Sequence, residues 1–124
     1  MIPIKQTSFG KDKGNCMAAC VASILEVSLE EIPDLVTALP KWREALNDYL
    51  FTKELYLLTA RLDEPKKHLK GFHIIAGQSP RHDCLHAIVG YAGQPYFDPH
   101  PDNSGLAGNP NDWEYDLFLK LFTE

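Results

Sequence analysis

No apolar stretch in this chain approaches the roughly 18 consecutive residues that a membrane-crossing helix requires. The opening residues MIPIKQTSF also lack the basic-then-apolar order of a secretory signal. Cysteine is scarce: there are three, an odd number, which does not suit the paired framework of a small secreted domain. Together these absences predict reduced thiols, a cytoplasmic setting and no membrane partner. Positive charge is scarce as well, with 12 Lys and Arg against 17 Asp and Glu and a net charge of −5. From Asp98 onward six acidic residues face a single basic one, Lys120. Such a chain has no continuous basic face for a phosphate backbone, so nucleic acid is excluded as an expected partner. Lys66, Lys67 and Lys70 make one small basic cluster, read as a solvated face. Internal repeats, low-complexity tracts and linkers are missing too.

What is present is an ordinary globular composition, 44% apolar and 23% charged over 124 residues, which predicts one domain spanning 1–124. That length buries roughly 65–70% of the surface the unfolded chain exposes. Residues 15–26 (NCMAACVASILE) are small or apolar nearly all round and predict a helix buried on most sides, with Asn15 as its N-cap. Ser28 and Glu31 stand at capping-box spacing and predict a short second helix ending near Pro33. Pro40 opens PKWREALNDYLF, an amphipathic third helix. After Lys53 the pattern turns to strands: LYLLTARL, FHIIAG, residues 84–91, residues 94–98 and WEYDLFLKLF, with DEPKKHLK as a turn and short polar helix. DPHPDNSGLAGNPND is a loop of about fifteen residues, a length that is usually functional. Helices first and mostly antiparallel strands after them predict an α+β domain.

The chemistry concentrates at two places. Cys16 directly follows Gly-Asn at the start of the buried helix, where the partial positive charge of the first turn favours a thiolate. In HDCLHAIVGYAGQPYFDPHP, alternation puts Cys84, His86 and Ile88 on one side of a strand. A three-residue turn Tyr91-Ala92-Gly93 would pair Gly90 with Gln94 and set His86 opposite Asp98, whereas a two-residue Ala92-Gly93 turn would throw Asp98 to the other side. With the first register, a Cys-His-Asp set is complete if the helix abuts the hairpin: Cys16 as nucleophile, His86 as its base and Asp98 as the group that orients the ring. The Cys16 backbone N–H and the Gln6 side chain are the candidate donors to a developing oxyanion. Asn15, Ser79 and Arg81 are candidate substrate contacts, the last two for a carboxylate. Cys20, one turn along the same helix, reads as core, and His73 and His100 read as sheet and loop residues. His82, Cys84 and His86 alternate as zinc ligands can, but the paired-ligand spacing of zinc ribbons is missing, so no metal or other cofactor is expected.

Gln6, GNC opening a buried helix, HAIVG on a strand and FDPHP in that order resemble the papain-like cysteine peptidase clan, and more narrowly its small C39-peptidase-like phage and bacterial members. The resemblance implies a papain-like fold with a central helix on an antiparallel sheet. It also implies that Gln6, Cys16, His86 and Asp98 match the clan's oxyanion glutamine, nucleophile, base and orienting acid. Gln6 lies ten residues before Cys16, farther than is usual in that clan, so GKDKG must loop out. The implied activity is hydrolysis of a peptide, isopeptide or small amide through a thioester. A protein-binding or inhibitory module with an unused triad, and a transglutaminase or acyltransferase on the same residues, are the alternatives. The sequence does not specify an oligomeric state.

Overall fold

The computed structural model describes residues 1–61 and 68–121 of the chain. Helix α1, Cys16–Leu25, forms in an alanine-rich run without Gly or Pro, and its residues Ala18–Ser23 are buried. It stops at Glu26, whose left-handed backbone (φ 58°) lets its own N–H return to the Ala22 carbonyl. The predicted second helix is only a 3₁₀ turn over Leu29–Glu31, and no capping box forms. Pro33 leaves no room for an α turn, and the Glu31 carboxylate instead accepts the Tyr49 hydroxyl and lies 3.2 Å from Lys53 Nζ. Helix α2, Trp42–Phe51, buries Leu46 and Leu50 as its amphipathic pattern predicts.

Five strands follow: β1 Leu55–Ala60, β2 Phe72–Gln78, β3 Leu85–Tyr91, β4 Gln94–Phe97 and β5 Glu114–Lys120. They form one antiparallel sheet in the order β1-β5-β2-β3-β4, so the last strand enters between the first two. Both helices pack on one face, α1 over β3 and α2 over β1, around Val21, Leu46, Leu57, Ile74, Ala87 and Val89. The other face carries Ile75, Ile88 and Tyr115, covered in part by Trp113 and Leu106. The domain is therefore α+β, as expected. The turn and polar helix predicted for DEPKKHLK, with Lys66 and Lys67, fall largely outside the described residues. No helix among the described residues is long and apolar enough to cross a membrane.

The β3–β4 hairpin departs from the expected register twice. Tyr91 pairs with Gln94, so the turn is the two-residue Ala92-Gly93, with φ of 52° and 83°. Alanine is unusual at such a φ. The turn is held from outside: Gly93 N–H donates to His73 Nε2 at 2.9 Å and Ala92 N–H to the Gly71 carbonyl at 3.1 Å. By itself this register would put Asp98 on the wrong side. One bulge then corrects it, because Gly90 pairs with Pro95 but Val89 pairs with Phe97, leaving Tyr96 unpaired. Continuing that register places Asp98 across from Ile88 and diagonal to His86. The two shifts add to two residues, which returns Asp98 to the His86 side of the sheet.

His73 is buried beneath the turn, and burial holds its pKa below the ordinary histidine value, which keeps it a neutral acceptor. Gly90 must lack a side chain to admit it: a Cβ there would lie 2.5 Å from His73 Cε1 and 2.8 Å from Ile75 Cδ1. Gly90→Ala is expected to destabilise the fold by about 2–3 kcal/mol, read as a lower urea midpoint at unchanged slope. An unchanged midpoint would show that the His73 ring is not fixed there.

Candidate active site

The N-terminal segment, α1 and the start of β3 meet at a cavity of about 420 Å³. Cys16, His86, Gln6, Ser79, Arg81 and His100 all line it. His86 is 4% exposed, and its Nε2 lies 2.7 Å from Asp98 Oδ1. With Nε2 engaged by the carboxylate, Nδ1 is the ring atom left for the sulfur. Burial opposes charge on this ring, but the Asp98 hydrogen bond and then the Cys16 thiol outweigh it. The His86 pKa is pushed up to about 9, so the ring is an imidazolium at neutral pH.

Asp98 is buried and its carboxylate is fully used. Oδ1 also accepts the His100 N–H at 2.9 Å, and Oδ2 accepts the Gly105 N–H at 2.7 Å. Burial pushes its pKa up, yet the His86 bond and these two amides hold it below the ordinary carboxylate value. One side chain thus orients the histidine and closes its own Asp-Pro loop. That loop is pinned further by Lys5, whose Nζ lies 2.9 Å from the Asp98 carbonyl, 3.2 Å from the His100 carbonyl and 2.7 Å from Asn103 Oδ1.

Cys16 is the first residue of α1 and is half-buried, whereas Cys20 is fully buried, with its thiol pKa raised well above the ordinary value by burial. All three cysteines are free thiols. Asn15 does not cap α1 as expected. Its Oδ1 accepts the Thr7 and Ser8 amides and its Nδ2 donates to Thr7 Oγ1. With its own N–H on the Ser8 carbonyl at 3.3 Å, Asn15 closes residues 9–14 into a loop. The insertion GKDKG is therefore looped out, turning through Gly10 (φ 99°) and Asp12 (φ 58°). This closure brings Gln6 to the cavity despite its distance in sequence, while Asn15 itself does not line the cavity.

Gln6 is buried, with its backbone N–H on the Pro99 carbonyl at 3.0 Å. Its Nε2 already donates one proton to the Ser8 carbonyl at 2.9 Å, and its Oε1 is buried without a partner. The expected carboxylate contacts are also engaged. Ser79 Oγ accepts the Arg81 and His82 amides at 3.1 and 3.3 Å, and the Arg81 guanidinium pairs with Asp102 at 2.9 Å. Among the described residues no group of three His, Cys, Asp or Glu is arranged to hold a metal ion.

Sequence reasoning passed over two features of this cavity. Leu35, Val36 and Leu39 of the segment between the helices, with Trp42 and Arg43 at the start of α2, supply much of its wall. Asp116 of β5 also lines it, almost fully buried. It is bonded to Thr59 Oγ1 and lies 3.7 Å from Arg43 Nη1, and burial raises its pKa. The clue to Asp116 was an acidic residue between Tyr115 and Leu117 inside an otherwise apolar stretch of the strand. Comparison of the chain with protein-family models, with curated proteins and with solved structures finds no significant match in any of the three.

Proposed function

We propose that this chain is a cysteine-dependent acyl-transfer hydrolase of papain-like type, acting on a peptide, protein or small amide substrate through a thioester on Cys16. One observation carries the reading: His86 lies 2.7 Å from Asp98 through Nε2 and shares a cavity with the thiol at the first residue of α1. In the proposed sequence the Cys16 sulfur attacks the substrate carbonyl, and the Cys16 N–H and the second Nε2 proton of Gln6 receive the oxyanion. His86 then gives its proton to the departing amine. Water follows, losing a proton to His86 as it opens the thioester, and the free thiol returns with the acid product. Asp98 holds the ring in orientation throughout. Three unpaired thiols suit a reducing, cytoplasm-like compartment, in which such a nucleophile persists.

Alkylation by iodoacetamide at pH 6, followed by peptide mass spectrometry, tests the pair without knowledge of a substrate. Cys16 is expected to react at least about tenfold faster than Cys84, with Cys20 silent in the folded protein. Replacing His86 by alanine should erase the preference. Equal rates at Cys16 and Cys84 would leave the triad as scaffold, the reading of an inhibitory or protein-binding module.

A further inference from the structure

We infer that His100 is a second catalytic histidine, donating a hydrogen bond from Nε2 to the reacting group of the substrate; this rests on the thioester reading above. His100 lines the cavity beside Cys16 and His86, and its ring meets the His86 ring edge-on at 6.2 Å between centroids. Its position is over-determined. The backbone N–H is on Asp98 Oδ1, the carbonyl is on Lys5, and the ring packs edge-on against Phe9 at 5.1 Å. A side chain held at this many points is placed, not draped.

The ring nitrogens divide between the protein and the cavity. The Asp102 N–H lies 3.1 Å and Asp102 Oδ1 3.0 Å from His100 Nδ1, so Asp102 holds Nδ1 and Nε2 is the ring nitrogen left for a substrate. Among the described residues Nε2 has no protein partner, and it belongs to a residue on the cavity wall. The arrangement differs from that of His86, whose Nε2 is closed by Asp98 and whose Nδ1 serves the sulfur. A His100 donor would add to the Cys16 N–H and the one Gln6 amide proton not committed to Ser8. A donor to a carbonyl oxygen or a departing group acts only when an acyl substrate is present.

The test compares two reactions of the full chain: hydrolysis of p-nitrophenyl acetate, which passes through an oxyanion, and alkylation of Cys16 by iodoacetamide, which does not. His100→Asn keeps an acceptor near Nδ1 and loses the distant donor, while His100→Gln restores an N–H near the Nε2 position. His100→Asn is expected to lower kcat/KM for the ester by roughly tenfold to a hundredfold, with the alkylation rate and the unfolding midpoint unchanged, and His100→Gln to recover most of the loss. Unchanged ester hydrolysis in both variants overturns the role. Equal falls in hydrolysis and alkylation also overturn it, since they would show His100 acting only through the Asp98 loop. If the wild-type chain alkylates selectively at Cys16 yet hydrolyses no ester in a Cys16-dependent way, the thioester reading itself fails.

Discussion

Cys16→Ala is expected to abolish acyl hydrolysis, by at least about 10³-fold, in a protein that remains folded. In the proposed reaction the acyl group is carried on this sulfur from attack to hydrolysis. Cys84 also lines the cavity, but it precedes β3 instead of opening a helix, and the thiol that acts on His86 is Cys16. The structural cost should be small. Cys16 is half-buried at the first residue of a helix, and alanine has the highest helix propensity, so stability should change by less than about 1 kcal/mol. That combination separates catalysis from folding. The measurement is steady-state hydrolysis of p-nitrophenyl acetate beside a thermal melt, with mass spectrometry of the wild type for a 42-dalton acetyl adduct on Cys16. Retained hydrolysis in the variant would remove the nucleophile from the mechanism. Capture of the acyl group by an added amine in preference to water would move the assignment toward a transferase.

The parts of this site that could be read from the sequence are those fixed by local physics. A run such as CMAACVASIL has no polar face, so it must be a buried helix, and Cys16 then falls at its start whatever else the chain does. The alternation in LHAIVGY likewise sets β3, and Trp42, Leu46 and Leu50 set the buried side of α2. What could not be read depends on partners distant in sequence. Gly93 in a left-handed turn suggested a three-residue loop. The buried ring of His73, some twenty residues away, instead holds a two-residue one, and the bulge at Tyr96 then restores the side on which Asp98 emerges. The expected His86–Asp98 contact forms, but through the two-residue turn that was the alternative reading together with a bulge that the sequence did not disclose. Asn15 has the composition of an N-cap, yet Thr7 and Ser8 claim its side chain because the loop must close there. The capping box at Ser28 failed for a similar reason, with Glu31 drawn to Tyr49 and Lys53 on and just beyond α2. Polar side chains choose among several partners, and tertiary placement decides; apolar periodicity has only one answer.

Asp98→Ala should cost both activity and stability, and the pH dependence of the two losses identifies the cause. The carboxylate accepts from His86, from the His100 N–H and from the Gly105 N–H, so its removal leaves a buried ring and two loop amides without an acceptor. A loss of about 2–4 kcal/mol is expected near neutral pH, with kcat/KM falling roughly 10²-fold or more as the His86 ring loses its orientation. The sign of the pH effect follows from the two shifts. His86 titrates in the folded protein at about 9, above the ordinary histidine value of roughly 6.5. It therefore adds stability that is complete below about 6.5 and is lost as pH rises through about 9, by up to about 3 kcal/mol. The Asp98 pKa is lowered, so its contribution is present above the ordinary carboxylate value and is lost as pH falls through the lowered one. Wild-type stability should thus decline from pH 6.5 to 9.5, and the variant should decline less over the same range, because the hydrogen bond that does most to raise His86 has gone while the Cys16 contribution remains. Activity carries the same signature: an alkaline limb near pH 9, where His86 can no longer protonate the leaving group, moving to lower pH in the variant. Urea titrations at pH 6.5 and 9.5 on both proteins, with a pH profile of kcat/KM, provide the measurement. Parallel stability curves for the two proteins would mean that the His86–Asp98 pair is not what holds the proton, and the electrostatic basis of the site would fall with it.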